Sequence, residues 1–153
     1  MSSGRGFARW VAGCESDRVE GTRPGLLVIG HGSRRDEANI TLLAVADALA
    51  ERGRWHTVQP AFLEIARPTI AQGYAELVVA GCDRVVVHPY FLFAGNHTAY
   101  DIPAALRAAE AQHGSLPWTL TGPLGFHPGL LDVVETRIAE VAADGPVGPA
   151  TVR

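Results

Sequence analysis

Leu26-Leu27-Val28-Ile29-Gly30-His31-Gly32-Ser33-Arg34-Arg35 is an apolar run that stops on a glycine and passes into a polar, cationic turn. Four consecutive apolar residues closed by a turn read as a strand buried on both sides, as in a parallel sheet. Beyond the turn, Ile40, Leu43, Ala44, Asp47, Ala48 and Ala50 follow at helical spacing among good helix formers, and Gly53 stops the segment. The cycle repeats along the chain. Strand Thr57–Leu63 leads to helix Thr69–Ala80, strand Arg84–His88 to helix Ile102–Gln112, and strand Thr119–Thr121 to helix Gly129–Ala142. Four βα units result, and strands separated by helices must be joined by crossovers, which are right-handed and give a parallel sheet. The expected fold is α/β: a single flavodoxin-like doubly wound domain with a four-stranded parallel sheet flanked by helices.

Working outward, 153 residues suffice for one core. Residues 1–24 mix Gly, Ser, Arg and acidic side chains without period and read as a flexible leader. Residues 25–143 form the domain, and the Gly/Pro-punctuated stretch 144–153 reads as a flexible tail. Hydrophobic residues make up 47% and charged residues 19%, so the chain can bury a core. Its formal net charge of -3 offers no overall positive field for nucleic acid or anionic lipid. No apolar run approaches ~18 residues, so no membrane span is expected. Cys14 and Cys82 stand far apart with no C-x-x-C pattern, which fits a reducing, cytoplasmic setting better than a disulfide scaffold.

Ligands of doubly wound sheets bind beyond the carboxyl ends of the strands. Four segments therefore share one rim. The first, Gly30 to Arg35, has His31 between two glycines, with Ser33, Arg34 and Arg35 as donors for carboxylates or phosphates. The second places Glu64 at the end of an apolar strand, before Arg67 and a Pro68 expected to open the next helix. In the third, Tyr90-Phe91-Leu92-Phe93 runs through Gly95 to His97, an apolar wall beside an imidazole that suits a planar macrocycle carrying a metal. The fourth, Gly122 to Pro128, carries His127, expected to serve the following helix start. His88 reads as a strand-end histidine satisfied by its neighbours, and His56 and His113 as solvated side chains. Neither G-x-x-x-x-G-K-[ST] nor G-x-G-x-x-G occurs, so no nucleotide is implied.

Together, Gly30-His31-Gly32-Ser33-Arg34, Glu64 before Arg67-Pro68, and Pro89-Tyr90-Phe91-Leu92 with Gly95, His97 and Asp101-Ile102-Pro103 resemble the CbiX/SirB family of class II chelatases. The resemblance spans roughly residues 25 to 142 and extends to Gly122-Pro123-Leu124-Gly125. It implies an ATP-independent chelatase that inserts a divalent metal, Co2+, Fe2+ or Ni2+, into a sirohydrochlorin-type tetrapyrrole for cobalamin or sirohaem. His31, His97 and Glu64 would then be the catalytic and metal-binding residues, with Ser33, Arg34, Arg35, Tyr90, Phe91, Leu92 and Gly95 binding the macrocycle. A homodimer is implied likewise, since larger members hold two lobes and this chain has one. The chemistry is sound on its own terms: neutral imidazole binds these ions, and insertion needs bases to take two pyrrole protons. Two other classes use the same residues. One is a non-catalytic tetrapyrrole or metal carrier; the other is phosphoryl transfer through His31, disfavoured because Gly30 stands where an arginine would be needed.

Overall fold

The structure, a computed structural model, describes residues 21–143. Its elements alternate as expected. They are β1 (Pro24–Gly30), α1 (Asp36–Glu51), β2 (Thr57–Phe62), α2 (Ile70–Val79), β3 (Arg84–Pro89), a π-helical turn (His97–Asp101) running into α3 (Ile102–His113), β4 (Trp118–Leu120) and α4 (Pro128–Ala143). The four strands form one parallel sheet in the order β2-β1-β3-β4. β1 is central, with Ile29 paired to Ala61 on one side and to Pro89 on the other.

The alternation of side chains along β1 divides the core. Leu27 and Ile29 point to the face covered by α2 and α3, where Tyr74, Leu77, Val87, Ile102 and Leu106 are fully buried. Leu26 and Val28 point to the opposite face and pack with Leu42 of α1 and with Phe62. Each face thus removes apolar surface from water at about 25 cal/mol per Å2. Tyr74 takes its polar end into the first cluster, where its hydroxyl accepts from the Leu116 N–H at 2.8 Å and bonds the Gly114 and Leu116 carbonyls. Desolvation there pushes its pKa up.

Several boundaries differ from the sequence reading. β1 starts at Pro24 and the Arg23 N–H donates to Asp83 Oδ2 at 2.7 Å, so the domain takes in residues that the sequence reading assigned to the leader. The remainder of the leader, 1–20, and the tail, 144–153, lie outside the described residues. Pro68 does not open a helix. Thr69 is the N-cap of α2, closing a capping box with Gln72, and this bonding overrides the ordinary preference for proline in the first turn. β4 lies one residue earlier than expected, because Val85, Val86 and Val87 pair with Trp118, Thr119 and Leu120.

α4 differs from the other helices. Leu131, Val133, Val134, Ile138 and Val141 are 49–63% exposed along it.

Candidate metal centre

The rim is assembled by long-range backbone contacts. At the end of β1, the Gly30 carbonyl accepts from the Leu63 N–H and the His31 carbonyl from the Glu64 N–H, both at 3.0 Å. These bonds zip the His31 turn to the Glu64 turn beyond the last residues of the two strands. Gly32 has φ +96, and a Cβ built there would overlap the Glu64 carbonyl oxygen. Only glycine satisfies both the left-handed backbone and this approach. Asn39 brackets the same turn from the first helix: its amide donates to the Ser33 carbonyl at 2.8 Å and its Oδ1 accepts the Ser33 N–H at 2.9 Å.

His97 arrives from the β3 side. The segment expected to be a loop instead winds into the π-helical turn, which places Asp101 one turn after His97. The Asp101 carboxylate lies 2.7 Å from His97 Nδ1. A neutral imidazole in this pair carries its proton on Nδ1, and its Nε2 lone pair is left for a metal. This is the usual arrangement behind a ligating histidine.

His31, Glu64 and His97 each present a ligand atom, and these atoms lie within 4.8 Å of one another, the one such trio of His, Cys, Asp or Glu among the described residues. The two imidazole rings meet edge to face, with centroids 5.0 Å apart and planes at 84°. Donors at ~2.1 Å from an ion can stand no more than ~4.2 Å apart, so a small inward movement brings all three to coordination distance. Three protein ligands leave positions open for water or macrocycle nitrogens. Glu64 makes no ion pair with Arg67, the structural role open to it on sequence alone; the ion pairs among the described residues are His97–Asp101 and Arg137–Glu140.

The remaining predicted residues flank this trio. Phe91 lies beside His31 with ring centroids 6.3 Å apart. Tyr90, Leu92 and Phe93 continue the wall and are exposed, Phe93 by 80%. Gly95 closes the loop, its N–H donating to Thr98 Oγ1 at 3.0 Å and its carbonyl accepting from the Thr98 and Ala99 N–H groups. Arg34 and Arg35 are exposed in the turn that carries His31, while the Ser33 hydroxyl accepts the Arg35 N–H at 3.0 Å.

The other histidines take the places their neighbours dictate. His127 Nδ1 accepts the Gly129 N–H at 3.0 Å at the start of α4. His88 bonds Thr121 Oγ1 at 2.7 Å, and desolvation lowers its pKa. His56 is not simply solvated, since its Nε2 reaches the Ala80 carbonyl at 3.0 Å. Sequence reasoning missed Asp101 as the orienting group, although the i,i+4 spacing from His97 carried the signal. It also missed Asn39, whose partner lies six residues back and follows no motif.

The CbiX family model matches residues 25–141, from the start of β1 into α4. The chain belongs to the CbiX family. The CbiX match encloses the trio and its wall. Among relatives, the chloroplastic sirohydrochlorin ferrochelatase of Arabidopsis thaliana is 39% identical over 118 residues, covering 77% of this chain and 52% of that protein. The sirohydrochlorin cobaltochelatase of Methanococcoides burtonii is 31% identical over 125 residues, covering 76% of this chain and 95% of that one. The chain thus spans about half of the plant relative and nearly all of the archaeal one. The sirohydrochlorin chelatase SirB from Bacillus subtilis subspecies spizizenii, solved with cobalt, superposes with a TM-score of 0.73 at 26% identity, over 79% of this chain and 52% of that one. No helix among the described residues is long and apolar enough to cross a membrane.

Proposed function

We propose that this chain inserts a divalent metal ion, Co2+ or Fe2+, into sirohydrochlorin without ATP, in cobalamin or sirohaem biosynthesis. The observation that carries the reading is the convergence of His31, Glu64 and His97 from three separate rim turns beside an apolar wall. Relatives named for both metals support it. In this reading His31 Nε2 or Nδ1, His97 Nε2 and a Glu64 oxygen receive the incoming ion, and the same groups accept the two protons released by the pyrrole nitrogens. Tyr90, Phe91, Leu92 and Gly95 receive one face of the macrocycle. Ser33, Arg34 and Arg35 hold its peripheral carboxylates through charge-assisted hydrogen bonds. Ni2+ accepts the same donors and belongs in the same assay.

The working unit in this reading is a cytoplasmic homodimer. Leu131, Val134, Ile138 and Val141 recur at the 3,4 spacing of a helix-pairing seam, all exposed. A second copy supplies an equally apolar surface, and the exposed wall residues, with Phe126 at 88%, extend the same requirement to the rim.

The test is metallation of sirohydrochlorin with Co2+, Fe2+ and Ni2+, followed by the macrocycle's absorbance. The wild-type chain is expected to accelerate insertion well above the uncatalysed rate, and His31→Ala and His97→Ala to lose at least ~100-fold of it while remaining folded. Tight binding of sirohydrochlorin with no acceleration would make the chain a carrier. Near-normal turnover in both variants would overturn the site.

A further inference from the structure

Beyond the trio, the loop after β4 contains a connected set of hydrogen bonds that the proposed chemistry does not use. The Thr121 hydroxyl donates its one proton to the Gly122 carbonyl at 2.9 Å. His88 Nδ1 lies 2.7 Å from the same oxygen, so the hydroxyl joins the imidazole to the loop. Past Gly122 the chain lies down on the aromatic loop: the Leu124 N–H donates to the Phe91 carbonyl at 2.8 Å and the Gly125 N–H to the Leu92 carbonyl at 2.9 Å. On its other side the aromatic loop is tied to β1 by the Tyr90 N–H and the Ile29 carbonyl at 2.7 Å. Phe91 and Leu92 are thus held between the central strand and the strap Gly122–Gly125, and the strap is anchored by a side-chain pair that joins β3 to the residue just after β4.

We propose that His88 and Thr121 are positioning residues that pin this strap and so set the height of Phe91 and Leu92 beside the metal trio. The pair touches neither ion nor reacting nitrogen. It acts through backbone contacts on the wall, and the inference rests on the reading of that wall as the macrocycle surface.

Three measurements on the full chain separate the possibilities: amide hydrogen exchange at Leu124 and Gly125, Co2+ affinity, and sirohydrochlorin affinity read from the macrocycle's absorbance without metal. His88→Val and Thr121→Val are each expected to speed exchange at both amides and to weaken sirohydrochlorin binding by about 2- to 10-fold, the range one hydrogen bond supports. Co2+ affinity should stay within about twofold of wild type, and the double variant should be no worse than either single one, because both remove the same link. Thr121→Ser keeps both bonds and His88→Asn keeps a hydrogen-bonding group near Nδ1, so each should restore wild-type exchange and binding, which a volume defect would not allow. Unchanged exchange in His88→Val would overturn the strap. Faster exchange with unchanged macrocycle affinity would overturn the positioning role. If the wild-type chain bound sirohydrochlorin but failed to metallate it, the chelatase reading would fall while the binding arm still decided this proposal.

Discussion

Gly32→Ala isolates the contact that joins the His31 turn to the Glu64 turn. The added methyl meets two penalties. Holding alanine at φ +96 costs about 1–2 kcal/mol in backbone strain. The methyl also overlaps the Glu64 carbonyl oxygen and sits 3.0 Å from its carbon, so the Glu64 turn must retreat by about 1 Å. A backbone atom cannot swing aside as a long side chain can, and the retreat stretches the bond from the Glu64 N–H to the His31 carbonyl. The trio spans up to 4.8 Å before binding and must contract to coordinate. Moving one ligand outward by that amount should weaken Co2+ binding by about 10- to 100-fold. Gly53→Ala is the matched control: φ there is +67, with nothing within 4 Å of a built Cβ, so the strain is similar without the clash. Chemical denaturation should show Gly53→Ala destabilised by about 1–2 kcal/mol and Gly32→Ala by more, because it carries the clash as well, and calorimetric Co2+ titration should show loss of affinity only in Gly32→Ala. A folded Gly32→Ala protein binding Co2+ within about twofold of wild type would refute the argument that this contact sets the ligand geometry.

Asp101→Asn keeps the shape of the partner but removes the charge that orients His97, so Co2+ affinity should fall by about 10-fold with little change in melting temperature, measured by titration and thermal unfolding. Burial holds the His88 imidazole below its ordinary pKa of 6.5, so the unfolded chain binds this proton more readily than the folded one. Its contribution is therefore fully present above the ordinary histidine range and lost as pH falls below it. Denaturant midpoints at about pH 7.5 and about pH 5.5 should differ less in His88→Asn than in the wild type. Val134→Asp and Ile138→Asp place a carboxylate in the exposed seam of α4 and should shift the chain to monomer in sedimentation velocity, with Co2+ affinity retained. Wild-type sedimentation in both would remove α4 from the proposed interface.

The order of elements was legible because β1 and β3 carry short apolar runs bounded by turn residues, Leu26-Leu27-Val28-Ile29 and Val85-Val86-Val87, and the helices between the strands have a period that a strand cannot share. His31, Glu64 and His97 were legible for a related reason: in a doubly wound sheet the residues just past strand ends share a rim, whatever their distance in sequence. The π-helical turn was not, since five residues hold too little period to distinguish a turn from a loop. Reading His97 in a loop hid Asp101, because i,i+4 neighbours meet only when the backbone between them is wound. The fit of Gly32 against Glu64 is a contact between two turns and leaves no local trace beyond a glycine. For α4 the apolar period is plain in the sequence. Whether that face is covered depends on the packing of whole elements, and periodicity carries no information on it.

The sheet order explains why the candidate ligands follow three strands and the proposed brace the fourth. Strands lie about 4.8 Å apart, so in the order β2-β1-β3 the ends of β2 and β3 stand about 10 Å apart with β1 between them. His31 follows the middle strand, and Glu64 and His97, arriving from the two sides, lean inward to bring the donor atoms within 4.8 Å. A residue following β4 would begin a further 4.8 Å or so out, beyond the reach of a direct ligand. From there its loop can still lie across the segment leaving β3, and the Leu124 and Gly125 N–H groups do so on the carbonyls of Phe91 and Leu92. Distance from the central strand thus divides the rim into turns that can coordinate an ion and one turn that can only support them.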